Sequence, residues 1–137
     1  RLRFIFKTIR AKKLLRRLPK RALNNVELMN AVTTLGLPNF RGVFMRDELS
    51  KIKPRKNEMG IMNLDTSISA GTHWTAYSKT GNRVVFFDSF GLRPPLEILR
   101  YFKGSRIEFS NDKEQSYGMY NCGHLSLRFL IKEAGFM

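Results

Sequence analysis

The sequence has little of what stabilises a secreted or metal-dependent protein. It contains one cysteine, Cys122, so no intrachain disulfide can form. A zinc site would have to combine that cysteine with His73, His124 and carboxylates, and no CxxC or HxxxH pair is present to start one. We therefore expect neither a disulfide nor a bound metal.

Long apolar runs are also missing. No stretch approaches the roughly 20 consecutive apolar residues that cross a bilayer, so no transmembrane segment is expected. No secretory signal is recognisable either, which makes a reducing intracellular setting the expected location. The sequence begins at Arg1 rather than at methionine, and this suggests a piece trimmed from a longer protein.

Acidic residues are scarce, and the charge is uneven. The net charge is +14, and residues 1–21 carry ten cations and no acid. Such a segment can bind nucleic acid, an anionic membrane or an acidic partner, or act as a nuclear import signal, although a solvated helix or a disordered tail has the same composition. We predict contacts to DNA or another polyanion from Arg10, Lys12, Lys13, Arg16, Arg17, Lys20 and Arg21.

The same segment has a helical pattern, and the rest of the chain has the length of one domain. Apolar residues follow one another roughly as in a single helical stripe that ends at Pro19, namely Leu2, Ile5 or Phe6, Ile9, Leu14 and Leu18. We therefore divide the chain into a basic segment, 1–21, helical or flexible, and a domain, 22–137.

The pattern of the domain predicts an α+β fold. A helix is predicted from the N-cap Asn24, with Glu27 three residues on, to the stop at Gly36, and another helix runs from about 120 to Gly135. Between them, strand patterns occupy 60–68, 72–78, 83–91 and "SRIEFS", with a helix at "PPLEILRYF". Phe40 and Phe44 are expected core anchors, followed by a helical turn at "RDEL". We expect a small mixed or antiparallel sheet flanked by helices.

The turn "KTGN" allows a test of which side chains meet across a hairpin. If Thr80 and Gly81 form a two-residue loop, His73 lies directly opposite Asp88 on one face of the sheet. A carboxylate beside an imidazole fixes its tautomer and stabilises the imidazolium, as a general base requires. The alternative is an ordinary half-buried strand histidine.

Cys122 stands where the last helix should begin. Unpaired N–H groups and the helix dipole lower the pKa of a thiol at such a position, and Gly123 would let a substrate backbone come close. The alternative is an inert buried cysteine. His124 competes with His73 as the base, but side chains two residues apart on a helix point about 200° apart, so we expect His124 to be a packed or capping residue. Gln115, in a predicted loop, could donate to an oxyanion together with the Cys122 amide.

The chain contains His-Trp, then Asp at a strand end, then Gln, and finally Cys-Gly at the start of a helix. This order of motifs resembles that of the adenovirus-type and ubiquitin-like-protein-type cysteine proteases. The papain order, with Cys first, does not fit. Over residues 23 to 135 the sequence resembles more closely the adenain-like maturation proteases of Polinton/Maverick elements and adinto-type viruses. The blocks that carry this resemblance are "NNVELMN", "PNFRGVFMRDEL", "NEMGIMNLD", "GTHWTAY", "VVFFDSFG" and "NCGH".

The resemblance implies residue roles. His73 would be the base, Asp88 the orienting acid, Cys122 the nucleophile and Gln115 an oxyanion donor. Trp74, with Gly71 and Gly123, would line a cleft for a narrow, glycine-containing peptide; the alternative for Trp74 is a core residue. Adenovirus enzymes have Glu at the acid position, so Asp88 fits the transposon and deSUMOylase branches better.

The resemblance further implies a cysteine endopeptidase that processes virion precursor proteins, located in the host nucleus or cytoplasm and packaged in the virion. It would need no metal or other cofactor. A disulfide-linked peptide activator is not expected, because it would consume Cys122, whereas stimulation by DNA through residues 1–21 needs only cations. The alternatives are a deSUMOylase- or deubiquitinase-like isopeptidase and a non-catalytic nucleic-acid-binding module.

Overall fold

The computed structural model describes residues 1–66, 73–114 and 120–137. Over these residues the chain forms four α-helices, five strands and a 3-10 turn at Leu49–Lys51. The helices are α1 (Leu2–Arg17), α2 (Asn25–Leu35), α3 (Leu96–Tyr101) and α4 (Cys122–Glu133). The strands are β1 (Phe40–Phe44), β2 (Asn57–Asn63), β3 (Trp74–Thr80), β4 (Arg83–Phe87) and β5 (Arg106–Phe109). None of the helices in the described ranges is both long and apolar enough to span a membrane.

The strands form one mixed sheet in the order β1-β2-β3-β4-β5. The two inner pairs are antiparallel, and both edge strands pair in parallel with their neighbours. The α+β prediction, with a small mixed sheet flanked by helices, is confirmed. Strand β1 was missed because Arg41 and Gly42 interrupt its apolar pattern; Gly42 has φ 152° at a break in the register with β2.

The predicted hairpin register was wrong by two residues. Thr80 pairs with Arg83, so the turn residues are Gly81 and Asn82 rather than Thr80 and Gly81. Gly81 has φ 59°, the conformation that a two-residue turn of the II′ type needs at its first position. Continued beyond the ladder, this register places His73 opposite Phe90. A shift of two keeps Asp88 on the same face as His73, since side chains alternate with period two.

Both predicted boundaries of α2 are confirmed by their capping contacts. The Asn24 side chain accepts the Glu27 N–H at 2.9 Å, and the Glu27 carboxylate accepts the Asn24 N–H at 3.0 Å. At the other end Gly36 takes the left-handed conformation, with φ 63°.

The sheet separates two apolar cores because its residues alternate between faces. Met59, Ile61 and Ala76 face the larger core, where α1, α2 and α4 pack. Met62 and Tyr77 face the smaller core, which α3 and the 3-10 turn cover. The chain thus has three layers, and α4 lies directly against β3.

A buried carboxylate at the smaller core has its hydrogen bonds satisfied. Glu58, 1% exposed, accepts from the Tyr77 hydroxyl at 2.7 Å, the Tyr101 hydroxyl at 2.9 Å and the Arg55 N–H at 2.7 Å. Arg41 forms an ion pair with it at 3.1 Å. Burial and the neighbouring carboxylate raise the pKa of both tyrosines. A buried charge needs such partners, so this cluster is structural.

Helix α1 has two apolar faces where the sequence suggested one. Ala11 is fully buried, and Leu14, Leu15 and Leu18 pack on the larger core. By contrast, the predicted stripe residues near the start of the helix are exposed: Leu2, Ile5, Phe6 and Ile9. The single-stripe prediction was wrong because these two sets lie on opposite sides of the helix. The division of the chain at residue 21 stays a prediction.

Candidate active site

His73 lies immediately before β3, where its carbonyl accepts the Leu64 N–H at 2.9 Å and so continues the pairing of β2 with β3. The residue is 6% exposed. Its Nε2 atom is 2.8 Å from Asp88 Oδ1. The structure therefore brings the predicted base and acid into direct contact, although not as the directly opposed pair that the hairpin prediction gave.

Asp88 follows β4 in a tight turn that fixes its side chain. The Phe90 N–H donates to Asp88 Oδ1 at 2.8 Å, and the Gly91 N–H donates to the Asp88 carbonyl at 2.8 Å. The residue is 5% exposed, so these contacts compensate for the loss of water around a carboxylate. The carboxylate is thus oriented before it meets the imidazole.

The turn also holds the segment that follows β5. The Glu114 N–H donates to the Ser89 carbonyl at 2.8 Å. Gly91 has φ 72°, and a Cβ atom there would lie 2.4 Å from the Asn111 carbonyl oxygen. Only glycine fits, because both the backbone conformation and the close approach of the second chain segment exclude a side chain.

Phe90 is a site residue that the sequence reasoning missed. Its ring stacks on the His73 imidazole with centroids 4.2 Å apart and planes 5° apart. Because its amide also donates to Asp88, this one residue contacts both members of the pair. The correct register of the β3–β4 hairpin would have found it, since that register pairs His73 with Phe90.

Cys122 is the first residue of α4, as predicted, and it is 6% exposed. Its sulfur accepts the Trp74 N–H at 3.5 Å, and the Ser126 hydroxyl donates to the Trp74 carbonyl at 3.4 Å. The first turn of α4 is therefore attached to the start of β3, next to His73. The imidazole and the thiol lie close enough for each to shift the pKa of the other. Because Nε2 is bonded to Asp88, the ring nitrogen left for the thiol is Nδ1.

The electrostatics of this pair favour the charged form of both groups. Burial raises the pKa of the Cys122 thiol, but hydrogen bonds from His73, Trp74 and Gly123, together with the charge of His73, lower it below the usual 9.0. Burial lowers the pKa of His73, and hydrogen bonds to Asp88 and Cys122 with their negative charges outweigh it, so the pKa rises to about 9. Both shifts therefore favour the imidazolium and the thiolate over the neutral pair.

Two predicted substrate residues are packed in the core. Trp74 is 7% exposed, and its indole N–H donates to the Leu23 carbonyl at 2.8 Å. A Cβ atom on Gly123 would contact Leu23 at 3.3 Å and Leu28 at 3.4 Å, so the missing side chain makes room for the core. The core alternative thus describes the Trp74 side chain, and contact of either residue with a substrate stays a prediction.

Gln115 and Gly71 lie outside the described residues, so their predicted roles as oxyanion donor and substrate contact stay predictions. His124 lies within them, and its Nε2 atom is 2.8 Å from the Pro19 carbonyl. It is a packed residue that ties α4 to the end of the basic segment. Among the described residues, no three His, Cys, Asp or Glu side chains gather as metal ligands would.

The predicted nucleic-acid residues are exposed, but two of them have protein partners. Arg10 donates to the Thr34 carbonyl at 2.7 Å, and Arg21 pairs with Glu27 at 2.7 Å. The others lie at the surface: Lys12, Lys13, Arg16, Arg17 and Lys20. Contact of this set with DNA stays a prediction.

The fold is similar to that of a known protease. The crystal structure of the ASFV pS273R protease matches with a TM-score of 0.57 and 15% sequence identity, over 85% of this chain and 60% of that one. At this identity the likeness shows the fold alone, and the chain spans about 60% of the length of the matched structure. Neither a protein-family model nor a curated protein matches the sequence.

Proposed function

We propose that the chain is a cysteine peptidase in which Cys122 is the nucleophile, His73 the base and Asp88 the orienting acid. The observation that carries the proposal is the buried His73 ring, whose Nε2 contacts the Asp88 carboxylate, next to the Cys122 thiol, which accepts the N–H of the adjacent Trp74. An ordinary half-buried strand histidine has no need of both partners. The fold shared with a protease adds support.

In the proposed reaction the proton of Cys122 moves to His73 before the substrate is attacked. The thiolate adds to the carbonyl carbon of the scissile peptide, and the imidazolium then donates the proton to the leaving amine. A water molecule, deprotonated by the imidazole, hydrolyses the resulting thioester and frees the thiolate. Asp88 stays ionised throughout and holds the imidazole through Nε2.

The oxyanion of each tetrahedral intermediate needs hydrogen-bond donors. The backbone N–H of Cys122 is proposed as one donor, since the first amides of a helix have no partner within it. The side-chain amide of Gln115 is proposed as the other.

The proposed substrates are precursor proteins of a virus or virus-like element, cleaved at glycine-containing sites in the host cell or the virion. The resemblance of the sequence blocks to adenain-like proteases supports this choice. A deSUMOylase-like isopeptidase would use the same three residues. Turnover of a ubiquitin-like probe against turnover of a glycine-containing peptide separates these two activities.

The test is the rate at which a thiol-reactive peptide inhibitor labels Cys122. We expect His73→Ala to slow labelling by roughly a hundredfold or more, since general-base catalysis contributes about that much. His124→Gln is the matched control, because it removes the other histidine, which contacts Pro19, and it should label at nearly the wild-type rate. Equal labelling rates of wild type and His73→Ala would contradict the proposal. A non-catalytic DNA-binding module would bind DNA while Cys122 reacted no faster than a free thiol.

A further inference from the structure

The outward face of α1 carries an apolar stripe with helical spacing. Leu2, Ile5, Phe6 and Ile9 stand at i, i+3, i+4 and i+7, so they line one side of the helix. Their exposed fractions are 65%, 47%, 56% and 54%. Since Ala11 is fully buried and lies about 200° around the helix from Ile9, this stripe points away from the body of the protein.

The inward face of the same helix is held by specific contacts. Arg10 donates to the Thr34 carbonyl at 2.7 Å, and the Lys7 ammonium lies 4.5 Å from the centroid of the Phe136 ring. Together with the packing of Leu14 and Leu18, these contacts fix the rotation of α1 about its axis. The stripe therefore cannot turn inward without breaking them.

Cations continue the outward face where the apolar stripe ends. Lys13 and Arg16 follow Ile9 at i+4 and i+7, and Lys12 and Arg17 flank them on either side. No acid precedes Glu27 in the sequence, so nothing within this segment neutralises them. The outward face thus joins an apolar half to a strongly cationic half.

We propose that this face docks the protein on an anionic phospholipid surface, with α1 lying parallel to the membrane plane. The apolar side chains would enter the boundary between headgroups and acyl chains, and the cations would contact lipid phosphates and carboxylates. At 16 residues the helix is about 24 Å long and carries seven cations, so it fits along a bilayer surface and not across it.

Other partners use only part of this face. Nucleic acid would pair with the cations but would leave four large apolar side chains in water. A second copy of the chain would bring two cationic segments together and pay for their repulsion. An anionic lipid surface satisfies both halves at once, because it offers negative charge above an apolar layer.

The experiment measures binding of the whole chain to vesicles of phosphatidylcholine alone and of phosphatidylcholine with about one third phosphatidylserine. We expect binding only to the anionic vesicles, and a loss of roughly tenfold or more in Ile5→Ser/Phe6→Ser. The matched control is Val26→Ser/Met29→Ser, which removes two apolar side chains of α2 that are 59% and 40% exposed. This control should bind as wild type does.

Four results would overturn the proposal. The control could lose as much binding as the stripe variant, or the vesicles could fail to bind the wild-type chain. Binding of duplex DNA with vesicles left unbound, unaffected by Ile5→Ser/Phe6→Ser and lost in Lys13→Gln/Arg16→Gln, would assign the segment to nucleic acid. Self-association of the wild type that the stripe variant loses would assign the stripe to a second copy.

Discussion

Replacing Asp88 with asparagine should move the basic limit of Cys122 reactivity to lower pH. Asparagine keeps the size of the side chain and an oxygen for the Phe90 amide, but it removes the negative charge 2.8 Å from His73 Nε2. The pKa of His73 is about 9, against the usual 6.5. This difference corresponds to about 3 kcal/mol in favour of the imidazolium.

Asp88 supplies only part of that stabilisation, because Cys122 contributes a hydrogen bond and a charge as well, while burial opposes both. We therefore expect the pKa of His73 to fall by roughly 1–2 pH units in Asp88→Asn, or about 1.5–3 kcal/mol. The reactive ion pair would then lose its imidazolium proton well below pH 9.

The assay is the pH dependence of Cys122 labelling, with the His73 pKa measured in parallel by NMR titration of the imidazole. Glu108→Gln is the control: it removes the carboxylate of Glu108 on β5, which forms an exposed ion pair with Arg83 on β4, and it leaves His73 untouched. An unchanged basic limit in Asp88→Asn, or an equal change in Glu108→Gln, would refute the reasoning.

The two pKa shifts of the pair affect the unfolding free energy with opposite dependence on pH. The raised pKa of His73 alone stabilises the fold below about pH 6.5 and loses that contribution as pH rises through 9. The lowered pKa of Cys122 alone gives stability above its unfolded value and loses it as pH falls through the folded one. In the unfolding free energy the two contributions therefore oppose each other as pH changes.

Two further substitutions test the turn after β4. Phe90→Leu keeps the hydrogen bond from the backbone N–H to Asp88 but removes the stacked ring, so labelling of Cys122 should slow severalfold and the pKa of His73 should fall. Phe90→Tyr keeps a stacked ring and should retain the wild-type labelling rate and pKa. Unchanged values in Phe90→Leu would show that the ring only fills space. Gly91→Ala should lower the unfolding free energy, measured by thermal or urea unfolding, by roughly 2–4 kcal/mol, because φ is positive there and the new Cβ would meet Asn111. The control is Gly81→Ala, which has φ 59° but open space around the Cβ position and should cost about 1 kcal/mol. Equal losses would mean that the approach to Asn111 carries no energy.

Much of the fold was predictable where a local rule decides it. The capping box at Asn24 and Glu27 and the glycine stop at Gly36 depend on neighbours within a few residues, so the sequence shows them directly. The start of α4 at Cys122 was found in the same way. These interactions are short in sequence and hardly depend on the rest of the chain.

The prediction errors arose where contacts with residues distant in sequence decide the structure. Strand β1 exists because β2 pairs with it, despite a charged residue and a glycine that break its pattern. The β3–β4 turn moved by one residue, and the pairing register by two, since the sheet, and not the turn alone, selects the register. The apolar residues of α1 form two sets on opposite sides of the helix, and it is the packing of α2 and α4 that decides which set is buried.

The turn at residues 88–91 has a consequence for anyone who would engineer this protein. Its backbone orients the Asp88 side chain, and it also contacts the backbone at Asn111 and Glu114. Two segments more than twenty residues apart are therefore positioned by the same turn. Insertions or exchanges between 111 and 114 will therefore also disturb the protonation of His73. Loop grafting at this edge of the sheet changes the chemistry together with the shape, and the safer positions for variation lie on surfaces that do not touch this turn.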